Sequence, residues 1–182
     1  MKKGKYILLI LLLFWMGVIF AFSAKNNEDS SRESHRISMW IAEIINPHFE
    51  DFSMEEKAEF IEKMEFPVRK GAHATEYAIL GGLALFTLLA WSDGDPLKKI
   101  LYHKNNMGQI LLKRVIFISW FFTIVYACSD ELHQLFVPGR AGMIRDVCID
   151  SLGALLGIGG AIFFIGLWSK IKGELYASIS FR

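Results

Sequence analysis

Four long apolar blocks constrain the fold of this chain more than any other feature of its sequence. They occupy residues 6–24, 72–91, 115–135 and 147–168, and the first contains no charged residue. The hydrocarbon core of a bilayer is about 30 Å thick, which a helix of roughly 20 mostly apolar residues crosses. The blocks alternate too little and run too long for barrel strands. The sequence therefore predicts an all-α, polytopic membrane protein with four transmembrane helices, held in a lipid bilayer.

The composition excludes several other classes of protein. Hydrophobic residues make up 53% of the 182 residues, which excludes a disordered chain, and the net charge of +1 gives no footprint for nucleic acid. The chain has only two cysteines, too few for a disulfide scaffold or a zinc ribbon. We expect Cys128 and Cys148 to be small buried hydrophobic residues, with a disulfide between them as the alternative.

The distribution of lysine and arginine predicts an N-in/C-in orientation. Three lysines lie within residues 2–5, and positive residues favour the cytoplasmic side of a membrane. The predicted inner segments carry eleven lysines and arginines and the outer segments nine, so the first helix decides the orientation. A cleaved signal peptide is the alternative for this helix, because residues 21–23 resemble a cleavage site. The single domain of 1–182 then has an outer loop at 25–71 and an inner loop at 92–114.

The outer loop is predicted to be partly helical. Ser53 and Glu56 have the spacing of a helix-capping box, and apolar residues follow at helical intervals. A second apolar group around Trp40 ends at Pro47. We interpret these as two short helices that cover the outer mouth of the bundle, with a partner-binding lid as the alternative.

Polar residues gather at the three helix ends that this topology places outside. Ionisable residues inside spans are costly and mark functional sites. Lys70, His73 and Tyr77 share one helix face at i, i+3 and i+7, and Asp130 and Gln134 share another at i and i+4. Arg69, His133 and Arg145 lie at the same helix ends. The residues that we predict to form a site are called the polar cluster: Lys70, His73, Glu76, Tyr77, Asp130, Glu131, Gln134, Arg140, Asp146 and Asp150.

A glycine stripe predicts which way the last of these residues point. Asp146, Asp150, Gly153 and Gly157 recur on one face of the fourth span, and Gly-x-x-x-Gly allows a neighbouring helix to approach closely. We therefore expect helix packing at both glycines to turn the two carboxylates into the bundle. A buried salt-bridge cluster that only pins the helices is one interpretation. The number of groups favours a ligand pocket.

These residues resemble the VanZ-like family of small bacterial integral membrane proteins. The family pattern has Lys-x-x-His at the start of one span, Asp-Glu-x-x-Gln-x-Phe before an arginine, and then Asp-x-x-x-Asn/Asp-x-x-Gly. Residues 69–80 and 129–140 carry most of the resemblance. The matching positions are Lys70, His73, Asp130, Glu131, Gln134, Phe136, Arg140, Asp146, Asp150 and Gly153.

The resemblance implies a multi-pass protein of the bacterial cytoplasmic membrane with a role in the cell envelope. The namesake of the family is associated with low-level resistance to the glycopeptide teicoplanin. We expect this chain to recognise a cell-wall lipid precursor or a glycopeptide at the outer leaflet and to lower glycopeptide susceptibility.

Each residue of the polar cluster has an expected role in such a pocket. Lys70 and Arg140 would clamp a phosphate or carboxylate. Asp130, Glu131 and Asp146 would be charge partners or catalytic carboxylates, and His73 a proton donor. The supporting residues would be Glu76, Tyr77, Gln134 and Asp150.

A membrane-embedded hydrolase of a lipid phosphate or glycan is the second hypothesis, and a structural helper is the third. Arg140, Asp146 and Asp150 have the spacing of an Arg-x5-His-x3-Asp phosphatase motif, but an aspartate stands where that motif has its histidine nucleophile. Whether the chain catalyses a reaction therefore stays open. No His-x-x-x-His or Cys-x-x-Cys signature is present, which argues against zinc and leaves a hard-ion site of oxygen ligands as the alternative. We predict no metal site and no cofactor.

Overall fold

The computed structural model describes residues 2–92 and 106–180, and all regular structure within these ranges is helical. Four of the helices are long and apolar enough to cross a bilayer, which confirms the predicted all-α membrane fold. The predicted inner-loop lysines at 98, 99 and 104 lie outside the described residues. The elements are α1 (Lys2–Ser23), α2 (Asn27–Ile45), a 3-10 turn (Phe49–Asp51), α3 (Met54–Trp91), α4 (Asn106–Gln134) and α5 (Ile144–Ser180).

The second span belongs to a helix much longer than the predicted block. The expected capping box is present: Ser53 Oγ accepts the Glu56 N–H at 3.3 Å, and Glu56 Oε2 accepts the Ser53 N–H at 2.8 Å. The helix that starts there does not stop at the membrane, and it continues through Pro67 to Trp91. Its 38 residues measure about 57 Å, so its amino-terminal part extends beyond a hydrocarbon core of about 30 Å.

Pro67 was no barrier to this helix, for a physical reason. A proline lacks the N–H that would bond the carbonyl four residues earlier. That carbonyl belongs to Lys63, and both Lys63 and Pro67 are exposed. The missing hydrogen bond therefore lies on the exposed face of the helix, where solvent can reach the carbonyl. Of the two short helices expected in the outer loop, only α2 is a separate helix.

Helix α2 packs along the projecting part of α3. Asn26 caps α2, its Oδ1 accepting the Asp29 N–H at 2.8 Å. The face of α2 that is buried carries only small side chains, Ser34, Ser38 and Ala42. Ala42 joins a small apolar core with Phe49 and Ile61. This packing brings the beginning of α2 next to the membrane end of α3 that carries the polar cluster.

Helices α3 and α5 make the closest contact in the bundle. A Cβ added to Gly153 would overlap the backbone of Ala74, and one added to Gly157 would overlap that of Ala78. On the other side, a Cβ on Gly81 would lie 2.6 Å from the Ala154 carbonyl oxygen. Because these glycines lack side chains, the two backbones approach closely, and the amino-terminal turns of α5 are pressed against α3.

Helix α1 is joined to the bundle by two side-chain hydrogen bonds at membrane depth. The Trp15 indole N–H donates to the Glu76 carbonyl at 2.9 Å, and the Tyr126 hydroxyl donates to the Met16 carbonyl at 2.6 Å. Both rings thereby combine an apolar body with a satisfied polar group. The bonds fix α1 beside α3 and α4.

Candidate functional site

The polar cluster is assembled at one end of the bundle by α3, α4, α5 and the loop between the last two. Its members are either buried or half-buried. Two neighbouring clefts open onto it. The larger cleft, of about 390 Å³, lies towards the α4–α5 loop, and the smaller cleft, of about 210 Å³, lies towards α1 and α2.

The predicted site residues divide between these clefts and the space behind them. Lys70, Gln134 and Asp146 line the larger cleft. His73 and Glu76 line the smaller one. Arg140 lines both. The residues that line neither cleft are Tyr77, Asp130, Glu131 and Asp150.

Lys70 and Asp146 form an ion pair across α3 and α5. Their Nζ and Oδ2 atoms are 2.5 Å apart, and the side chains are only 16% and 11% exposed. Arg145 adds a second cation, its Nε lying 3.8 Å from Asp146 Oδ1, but its side chain is 60% exposed. The charge of Lys70 is therefore compensated within the protein. Lys70 therefore joins the two helices through this pair, and its role as a ligand clamp stays a prediction.

Gln134 and Glu131 organise the α4 side of the cluster. The Gln134 amide donates to Asp130 Oδ2 at 3.2 Å and to Glu131 Oε1 at 3.1 Å, so it holds two carboxylates together. Glu131 Oε2 also accepts the Met143 N–H at 2.8 Å, just before α5 begins. The turn before it is made by Gly139, whose φ of +75° is strained for other residues. Glu131 therefore positions the loop and is absent from the lining of both clefts.

His73 and Glu76 lie together on the α3 wall of the smaller cleft. His73 Nδ1 is 3.7 Å from Glu76 Oε2, and both side chains are largely buried. The two are one helical turn apart, as the sequence spacing requires. This pair is the part of the site best suited to move a proton, because an imidazole and a carboxylate meet at the wall of an open cleft.

Tyr77 and Asp150 lie behind the clefts. Tyr77 is 0% exposed and Asp150 is 1% exposed. Within the described part of the chain, the Tyr77 hydroxyl and Asp150 Oδ1 have no hydrogen-bond partner. Both groups therefore belong to the interior of the bundle and are closed off from solvent.

Arg69 belongs to the polar residues that the sequence places at these helix ends, but the sequence prediction gave it no role in the site. It lies beside Lys70 and lines both clefts, as Arg140 does. Among the described residues, its guanidinium donates to neutral groups: to Ser31 Oγ at 2.7 Å, to Asn27 Oδ1 at 3.3 Å and to Ser34 Oγ at 3.4 Å. These acceptors lie on α2, and their sequence spacing from Arg69 carries no signal that predicts the contact.

Arg140 is the second arginine shared by the two clefts. Its Nε donates to the Lys25 carbonyl at 3.1 Å. Burial and the neighbouring Arg69 lower the pKa of Arg140 from its ordinary value, while Asp130 and Glu131 act in the opposite sense. Within the described residues no carboxylate lies at ion-pair distance from either guanidinium. We call Arg69 and Arg140 the arginine pair.

Two further expectations concern metal binding and the cysteines. Across the described ranges, no group of three or more histidine, cysteine, aspartate or glutamate side chains is arranged to hold a metal ion. Cys128 and Cys148 are free thiols, which excludes the disulfide in this structure. The expectation that they are buried is wrong, since both are exposed on the outside of the helix bundle.

Comparison with known proteins assigns the chain to a family. Residues 8–165 match the family model described as VanZ/LLP1, and this range contains the whole polar cluster, the second and third apolar blocks and most of the first and fourth. Neither the curated proteins nor the solved structures give a match. With most of its length matched to that model, and with the family motif gathered at one end of a four-span bundle, the chain belongs to the VanZ/LLP1 family.

Proposed function

We propose that this VanZ-family membrane protein binds an anionic group at the arginine pair, between the two clefts. The observation that carries the proposal is that Arg69 and Arg140 both line both clefts and donate to neutral acceptors there. Arginine presents a planar fork of donors that suits phosphate and carboxylate groups. The nearby Lys70 is already neutralised by Asp146.

The ligand of the proposal is a cell-envelope molecule at the outer leaflet. Lipid-linked cell-wall precursors carry phosphates at the membrane surface, and glycopeptides carry carboxylates. Family membership supports the envelope role, and the depth of the site agrees with it. Counting about 20 residues back from Trp91 along α3 places Arg69 and Lys70 at the edge of the hydrocarbon core. Binding there would lower susceptibility to glycopeptides of the teicoplanin type.

The proposal includes the N-in/C-in orientation, which places the arginine pair outside the cell. In a variant lacking Cys128 and Cys148, a cysteine at Asn26 marks the cluster end of α1, and a cysteine at Ser92 marks the opposite end of α3. A membrane-impermeant maleimide added to whole cells should label Asn26→Cys and leave Ser92→Cys unlabelled. The reverse pattern would place the site in the cytoplasm and contradict the proposal.

Drug susceptibility tests the function in cells. Cells of a susceptible bacterium that express the chain should tolerate more teicoplanin than cells with an empty vector. Arg140→Gln should abolish this effect, because it removes one charge of the arginine pair. Arg32→Gln is the matched control, because Arg32 is 70% exposed and pairs with Glu28 on α2. Equal tolerance with Arg140→Gln and the native chain, at equal amounts in the membrane, would contradict the proposal.

A structural helper is the alternative that one observation favours. The pairing of Lys70 with Asp146 joins α3 to α5, and the hydrogen bond from the Met143 N–H to Glu131 joins α4 to the segment before α5, both without any ligand. That role predicts that Arg140→Gln lowers the amount of folded protein. The binding role predicts a normal folded amount with the effect on drug tolerance lost.

A further inference from the structure

A third cleft lies at the opposite end of the bundle from the polar cluster, within the membrane-spanning helices. It has a volume of about 360 Å³ and exposes only apolar surface. Its walls come from α1, α3 and α4, and Trp91 closes one end. The wall residues are Leu9 and Leu12 of α1, Ala84 and Leu88 of α3, and Ile118 and Phe122 of α4. We call it the apolar groove. Thr87 of α3 also lines the groove, but its hydroxyl is buried and adds no polar surface. The walls therefore suit a hydrocarbon and offer a polar ligand no exposed partner.

The groove runs in the direction of a lipid chain. Ala84, Leu88 and Trp91 follow one face of α3 over two turns, a distance of about 10 Å along the helix. Trp91 contacts Tyr6 edge to face, with ring centroids 5.7 Å apart. Tryptophan and tyrosine are enriched where hydrocarbon meets the head groups. The groove therefore extends from that interface towards the middle of the bilayer, parallel to the chains of the surrounding lipids.

A cation stands at the interfacial end of the groove. Lys5 Nζ lies 4.4 Å from the centroid of the Trp91 ring, and the Trp91 indole N–H donates to the Lys5 carbonyl at 3.3 Å. Lys5 is half-buried, so its ammonium is held close to the mouth of the groove. An ammonium beside an apolar groove matches an amphiphile with a negatively charged head group.

We propose that the apolar groove is a binding site for one chain of an anionic glycerophospholipid, with the lipid phosphate on Lys5. The hydrocarbon chain of the lipid fills the gap between α1 and α4 and contacts all three walls. It thereby supplies contacts that the helices do not make with one another at this position. Lys5 then selects the head group by charge, as basic residues at a membrane surface do. This site faces the leaflet opposite to the polar cluster and is independent of the function proposed above.

Native mass spectrometry of the full-length protein tests the proposal. The protein is purified in mild detergent and mixed with equal amounts of phosphatidylglycerol and phosphatidylcholine that carry the same chains. We expect one tightly retained lipid, with phosphatidylglycerol preferred several-fold. Lys5→Gln should remove the preference, and Lys3→Gln, which changes an exposed lysine two residues away, should keep it.

A bulky residue in the groove tests the position of the chain. Ile118 lines the groove and is 51% exposed, so Ile118→Trp should fold and reduce retention of both lipids several-fold. Ile7 is 57% exposed and does not line the groove, so Ile7→Trp is the control and should bind like the native chain. Equal retention of the two lipids by the native chain, or equal retention by the two tryptophan variants, would overturn the proposal. So would loss of the lipid in Arg140→Gln, which would place it at the arginine pair.

Discussion

The ion pair between Lys70 and Asp146 makes a quantitative prediction about what holds α3 and α5 together. Breaking a buried pair by removing one partner costs about 3–5 kcal/mol, because the remaining charge is left uncompensated. The two side chains here keep 16% and 11% of their exposure, so we expect the lower end of that range, about 3 kcal/mol, for Asp146→Asn or Lys70→Gln alone. The double variant leaves no unpaired charge and should cost no more than either single variant.

A double-mutant cycle measures this coupling directly. Unfolding is followed by tryptophan fluorescence during titration of the detergent micelles with sodium dodecyl sulfate. If each single change costs about 3 kcal/mol and the double change costs the same, the coupling energy is about 3 kcal/mol. The internal control is the pair of Arg32 and Glu28, which are 2.7 Å apart but 70% and 77% exposed. Such an exposed pair should give a coupling energy of about 0.3–0.5 kcal/mol.

The comparison of the two pairs decides the role of Lys70. A coupling energy for Lys70 and Asp146 as small as that of the exposed pair would refute the reasoning. It would mean that water screens the pair and that Lys70 is free to hold a ligand, as the sequence had suggested. A large coupling energy leaves the arginine pair as the anion-binding element.

Two other changes test how the helices are built. Gly157→Val should lower the yield of folded protein severely, because its Cβ would overlap the backbone of Ala78. Gly159→Val is the control and should fold normally, because no atom lies within 4 Å of the added Cβ. Size-exclusion chromatography in detergent compares the two, and equal yields would contradict the close contact. Ser53→Ala should destabilise the start of α3 by about 1 kcal/mol. The measurement is amide hydrogen exchange of the Glu56 N–H, which Ser53 caps and which should exchange faster in the variant. An unchanged exchange rate would contradict the capping box.

The sequence predicted the membrane fold well because the rule behind it is local. A helix must present about 20 apolar residues to the bilayer, and that requirement is visible in the chain without any tertiary information. The capping box at Ser53 is equally local, since both of its partners lie within one turn. The glycine spacing at 153 and 157 is a local pattern of the same kind, and both glycines lie against α3.

The features that the sequence did not reveal depend on contacts between distant segments. Arg69 bonds to Ser31 and Asn27 because α2 folds back along α3, and no spacing rule connects positions so far apart. The length of α3 is another such feature, because the helix runs through Pro67 and joins the predicted outer-loop helix to the second span. The partner of Lys70 was likewise open, because several carboxylates of the cluster were within reach in principle and only the packing of α5 selects Asp146.

Direct binding tests the central claim, that the arginine pair holds an anionic envelope ligand. The full-length protein in lipid nanodiscs is titrated separately with polyprenyl phosphate, lipid-linked peptidoglycan precursor and teicoplanin. Each titration is repeated with Arg69→Gln, with Arg140→Gln and with the exposed control Arg32→Gln. We predict that at least one of the three ligands binds, and that either change in the arginine pair weakens it at least tenfold while the control does not. Absence of binding by all three, or equal weakening by the control, would contradict the account.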